Sequence, residues 1–172
     1  MIARFAPTIA LSVVAIALQA IVAPYLTIGY ATPNIALAFA VAYTAASRRT
    51  SVCIMPFLVG LAYDLIGSGP VGAMALLTLA SCVAVSFISA RFGNDTAFIP
   101  LASACIAILI ANILYAVICV TCGSADVGLG EAVLYRSLPA WLYDTVVALV
   151  FYPLCRFILQ PKPDEMDVTS IG

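Results

Sequence analysis

Two carboxylates, Asp64 and Asp144, interrupt otherwise apolar runs of this 172-residue chain. An acid at membrane depth costs several kcal/mol unless it is paired, protonated or wetted, so each is a functional candidate by default. Arg136 stands apart from the other basic residues and is the natural ionic partner for either acid. The plainer alternative is that both acids sit near the outer interface and are hydrated there. An aspartate pair is also the equipment of intramembrane aspartyl proteolysis, but such sites lie deeper and carry a glycine motif beside the acid.

The other chemistry-bearing residues are sparse. Cys119 and Cys122 form a C-x-x-C, while Cys53, Cys82, Cys105 and Cys155 fall inside apolar runs, where cysteine behaves as a small apolar side chain. A redox or metal role for the C-x-x-C needs a lowered thiol pKa or further ligands. The chain has no histidine to supply them, and no second C-x-x-C. A disulfide between Cys119 and Cys122 is compatible with an oxidising exterior and is not needed for the fold. No Walker pattern, G-x-G-x-x-G or H-E-x-x-H is present. No cofactor, no metal site and no catalytic residue is therefore expected, and the chain is read as a non-enzyme.

These residues need a scaffold, and composition says what kind. The chain is 65% apolar and 9% charged, with a mean hydropathy of +1.16. An ordinary soluble domain is about 45–50% apolar and about 25% charged. A soluble fold of this size has too little interior for so much apolar surface. The 7 basic and 8 acidic residues also exclude a nucleic-acid binder working through a basic patch. An integral membrane protein made almost wholly of spanning segments remains. Sustained period-two alternation is absent, so the spans are expected to be helices.

The 43 residues between Arg4 and Arg48 carry no charge. That is too long for one crossing, which takes about 20 residues, and fits two. Span one is read as Phe5 to Ala23 and span two as Pro33 to Ser47, with a partly helical or interfacial lead-in at Tyr25–Thr32. Spans three to six are read as Ser51 to Ile66, Val71 to Ala90, Ala97 to Val120 and Leu138 to Leu159. The polar segments are Gly67 to Pro70, the loop after Arg91 with Asn94 and Asp95, and Gly123 to Gly130. Residues 1–159 would form the bundle, and residues 160–172, with two prolines and four charges, a disordered cytoplasmic tail. The hydrophobicity continues along the whole chain, so span one is expected to be an uncleaved span rather than a secretory signal.

Six spans place both termini on one side. With both inside, Arg4, Arg48, Arg49, Arg91, Arg156 and Lys162 all fall inside and only Arg136 outside, a positive-inside pattern that ranks six spans above five. Alanine pairs four apart (Ala6 and Ala10, Ala36 and Ala40, Ala38 and Ala42, Ala80 and Ala84) support close helix approach in a compact bundle. The segment Gly60-Leu-Ala-Tyr-Asp64-Leu-Ile-Gly-Ser-Gly-Pro-Val-Gly72 has a physical reading of its own. Gly60 admits a neighbouring helix, Asp64 lies one turn later on the same face, and Gly72 lets the next helix pack close. The result is a rigid hairpin that holds one carboxylate at the outer surface, which suits a docking site or a structural pin.

That segment, preceded by Pro33-Asn34 at the head of an apolar span and followed by Tyr152-Pro153 with Arg156 a turn later, resembles the bacterial rod-shape-determining membrane protein MreD family. The length, span count and short tail fit as well, whereas the alanine content, the scarcity of basic residues and the loop at Gly123–Gly130 depart from the pattern. The resemblance implies a multi-pass protein of the bacterial cytoplasmic membrane, a non-enzymatic scaffold of the elongation machinery. It implies binding to the single-span partner MreC and support of the peptidoglycan glycosyltransferase and transpeptidase, with Asp64 and Asp144 among the contacts. A homodimer is left open. The competing reading is the substrate-binding membrane subunit of an energy-coupling-factor vitamin transporter, with Asp64, Arg136, Trp141 and Asp144 lining an outward cavity. An intramembrane enzyme ranks third for want of a catalytic set.

Overall fold

The computed structural model describes residues 2–27, 31–47, 54–67, 69–92, 98–123 and 128–159, with side chains from Thr8 onward in the first of these. Arg48, Arg49, Cys53, Ser68, the Asn94–Asp95 loop, residues 124–127, Lys162 and the tail from residue 160 lie outside the described residues, as do the side chains of Arg4 and Ala6.

The described residues are almost all helical, with no strand among them. Helix α1 (Ile2–Ile21) runs into a short 3-10 turn at Ala23–Leu26 with Pro24 in its first turn, so the expected lead-in to span two is partly helical. Then come α2 (Ile35–Ala46), α3 (Ile54–Ile66), α4 (Ala73–Phe92), α5 (Phe98–Thr121) and α6 (Leu129–Leu159). Helices α4, α5 and α6 are long and apolar enough to cross a membrane. The 12 residues of α2 and 13 of α3 rise only about 18 and 20 Å at 1.5 Å per residue.

The shortness of α2 goes with its position. It packs against each of the other five helices, and every residue from Ile35 to Ala45 is buried. A helix apolar on all sides belongs in an interior, and α2 is the axis of this one. Its pairs Ala36/Ala40 and Ala38/Ala42 are buried as the spacing implied, so the surrounding backbones approach closely. Ala10, Ala80 and Ala84 face outward instead. Further along α2, Phe39 meets Phe151 edge-on at 5.4 Å, and toward its end Tyr43 shares a hydrogen bond with Thr8 on α1 at 3.2 Å.

Helix α6 corrects one boundary. It begins at Leu129 rather than Leu138, so Arg136 stands on a helix and not in a loop. Gly128 is extended and launches the helix, and no proline follows until Pro139. Before that proline the helix widens into a π turn over Ala132–Ser137, where the Leu138 N–H reaches back to the Val133 carbonyl. The π turn absorbs an extra residue, and the Ser137 hydroxyl donates to the carbonyls of Asn112 (3.2 Å) and Ala132 (3.4 Å). Further along α6, Tyr152 is half-buried, Pro153 is exposed, and Arg156 is exposed in the last turn. A cation is favourable there beside the carbonyl end of the helix dipole. Arg91 holds the same position on α4.

Candidate functional site

The two in-span acids each hold the start of a different helix. Asp64, near the end of α3, is 2% exposed. One carboxylate oxygen accepts from the N–H groups of Gly72 (2.9 Å) and Ala75 (3.0 Å), the other from Met74 (3.2 Å). The first N–H groups of a helix lack partners within it, and α4 has no capping side chain of its own. Asp64 supplies one from the preceding helix, with its negative charge at the positive end of the α4 dipole.

The surrounding glycines make this geometry possible. Gly72 turns the chain at φ +92°, a region L side chains rarely adopt. Gly60 lies one turn before Asp64 on the same face, where a β-carbon would come to 2.7 Å from the Ala75 Cα and 3.0 Å from the Met74 carbonyl oxygen. Those are backbone atoms and cannot rotate aside. Gly60→Ala is therefore expected to force α3 and α4 apart and destabilise the fold by about 1–3 kcal/mol. A fall in the thermal midpoint of the detergent-purified protein would show this, and an unchanged midpoint would refute the close crossing. At Gly69 a β-carbon would meet the Tyr115 hydroxyl, the far end of a side chain and not backbone.

Asp144, on α6, is fully buried. It accepts from the backbone N–H of Asn34 at 2.5 Å and from the Asn112 side-chain amide on α5 at 2.8 Å. Asn34 is the N-cap of α2, and its own side-chain oxygen accepts from the Leu37 N–H at 3.0 Å, the standard capping arrangement. Gln19 of α1 completes the collar. Its amide oxygen accepts from the Ala36 N–H and its amide nitrogen donates to the Pro33 carbonyl, both at 3.3 Å. The start of α2 is thus held by α1, α6 and its own cap. The Asn34 amide also points at the Met74 sulfur on α4, at 3.6 Å.

This arrangement overturns the hydrated alternative for the two acids, and it also removes the expected ion pair. Every carboxylate oxygen of Asp64 and Asp144 faces a neutral donor. Arg136 is exposed, and no ion pair links it to either acid. Arg136 instead lies on the wall of a small cleft at the same end of the bundle, with Asn34 and Asn112 also on the lining. Starts and ends of the helices alternate around that end, so consecutive helices run in opposite directions. The cleft holds about 30 Å³, room for a water or two. Cys119 is buried on its lining and Cys122 is exposed, and both are free thiols. Trp141 lies elsewhere, donating to the Cys105 carbonyl at 2.9 Å.

A family model for the rod shape-determining protein MreD matches residues 1–162, nearly the whole chain. The chain belongs to the MreD family. Neither the curated proteins nor the solved structures contain a match. Membership makes this a membrane protein with a role in rod-shape determination, from a family not known for enzymes. It sets aside the vitamin-transporter reading, and a cleft of about 30 Å³ is far below the several hundred Å³ of a small-molecule site.

Sequence reasoning found Asp64, Asp144, Gly60, Gly72, Pro33 and Asn34, and the structure gathers these at one end of the bundle. Tyr152, Pro153 and Arg156 lie in the last third of α6 and take no part. Gln19 and Asn112 were missed. A carboxamide inside a charge-free apolar run is costly in the same way as an acid, and that signal would have found both.

Proposed function

We propose that this MreD-family chain is a non-enzymatic membrane scaffold of the cell-elongation complex, which carries out peptidoglycan synthesis. It docks an MreC-like single-span protein and through it supports the glycosyltransferase and transpeptidase. The observation that carries the reading is that both buried carboxylates are fully hydrogen-bonded, each holding the start of a helix and Asp144 also the Asn112 amide. Groups used in this way make a rigid body, which is what a docking platform needs, and no turnover is required of them.

The proposed topology is six crossings of the bacterial cytoplasmic membrane with both termini inside. Arg91 and Arg156, each in the last turn of its helix, then lie at the inner face, as the positive-inside rule asks, and the Asp64 and Asp144 collars lie toward the outer face. Depletion in a rod-shaped host is expected to round the cells, and affinity purification in mild detergent to bring down a stoichiometric single-span, coiled-coil protein. Rod shape persisting after depletion, or purification without such a partner, would overturn the proposal.

A further inference from the structure

The cleft beside Arg136 carries, besides the groups that hold the helix starts, a guanidinium that the fold does not use. Arg136 is the one charged residue on its wall among the described residues. Asp64 and Asp144 are not on that wall; their oxygens are turned to backbone and amide donors, and neither forms an ion pair with the guanidinium. Tyr63 and Tyr115, set edge to face at 6.4 Å, and the exposed Thr32, each a hydroxyl-bearing residue, line the same cleft. A guanidinium with hydroxyl donors around a small concavity matches an anionic, oxygen-rich group, and arginine's planar fork suits phosphate in particular. The room, about 30 Å³, takes phosphate oxygens and leaves the rest of the molecule outside. Beside the opening, α6 exposes Leu134 and Tyr135, an apolar flank on which acyl chains can lie.

We propose that this cleft seats the oxygens of a phosphate group, with Arg136 as the charge partner and Thr32, Tyr63 and Tyr115 as hydroxyl donors. The proposal does not depend on the scaffold reading. Both a lipid headgroup and free phosphate carry this chemistry. The test uses the full chain, purified in mild detergent and delipidated, with binding followed by native mass spectrometry and thermal shift. The probes are phosphatidylglycerol, diacylglycerol (which lacks the phosphate) and inorganic phosphate.

Phosphatidylglycerol is expected to bind and stabilise while diacylglycerol does not. Loss of a charge-assisted contact in Arg136→Gln should weaken binding about tenfold or more, with Arg136→Lys in between. Saturation by phosphatidylglycerol alone identifies a lipid headgroup, and saturation by inorganic phosphate as well identifies a free phosphate group. Arg136 is exposed and holds nothing in the fold, so Arg136→Gln should stay folded. Thr32→Val is a second variant, expected to lose a smaller factor. The proposal is overturned if diacylglycerol binds as tightly as phosphatidylglycerol, if neither phosphate probe binds, or if Arg136→Gln binds like the parent chain.

Discussion

Asp144→Leu is expected to destabilise the bundle severely, whereas Asp144→Asn is expected to stay close to the parent chain. Leucine leaves the Asn34 N–H and the Asn112 amide buried without an acceptor, at about 1–3 kcal/mol for each. Asparagine keeps an oxygen for the Asn34 N–H. Its new NH₂ can donate to Asn112 once that amide turns over, since a carboxamide offers both a donor and an acceptor side. The readout is built into the chain: Cys119 and Cys155 are buried free thiols that react with a thiol-specific dye only as the protein unfolds, above the constant signal of the exposed Cys122. A dye-monitored melt should place Asp144→Leu well below the parent and Asp144→Asn near it. Equal midpoints for Leu and Asn would show that the hydrogen bonds to Asp144 are not what holds α2.

The second large effect reverses that tolerance. Asp64→Asn is expected to be nearly as damaging as Asp64→Ala. Asp64 accepts three backbone N–H groups through both of its oxygens, and backbone donors cannot turn over to suit an amide. One side of an asparagine would push an NH₂ against N–H groups at the head of α4, leaving at least one buried donor unmet, again about 1–3 kcal/mol, and removing the charge that favours the helix N-terminus. The same melt decides the matter. If both acids were merely hydrated at an interface, both Asn variants would be neutral. The asymmetry between positions 64 and 144 is the distinguishing result.

The two costly acids were legible in the sequence because their price is set by residue type and by the apolar run around them. Their partners were not, because four of the five donors to them are backbone N–H groups, which every residue carries alike. Arg136 drew attention as the available counter-charge, yet a helix N-terminus met the need of each acid at no further desolvation of a cation. The steric part of the hairpin reading of Gly60–Gly72 holds in the structure, since close approach at Gly60 and a turn at Gly72 are demands that glycine announces directly, but the carboxylate expected at the outer surface is buried instead. The start of α6 was less visible. Gly123, Gly128 and Gly130 signal a loop by composition, and the helix nevertheless begins inside that segment and passes a proline by widening into a π turn.

The collar around α2 has a bearing on how such a chain is made. Asn34 and its acceptor on Asp144 lie 110 residues apart. During synthesis the second helix is made long before the acid that anchors it has been translated. Until α6 arrives, the head of α2 rests on Gln19 and on its own cap alone, and the Asn112 amide also waits without its acceptor. The last helix is therefore the closing member of the assembly. Chains that stop short of it would carry polar groups without their partners, the kind of feature by which quality control distinguishes an unfinished protein from a finished one.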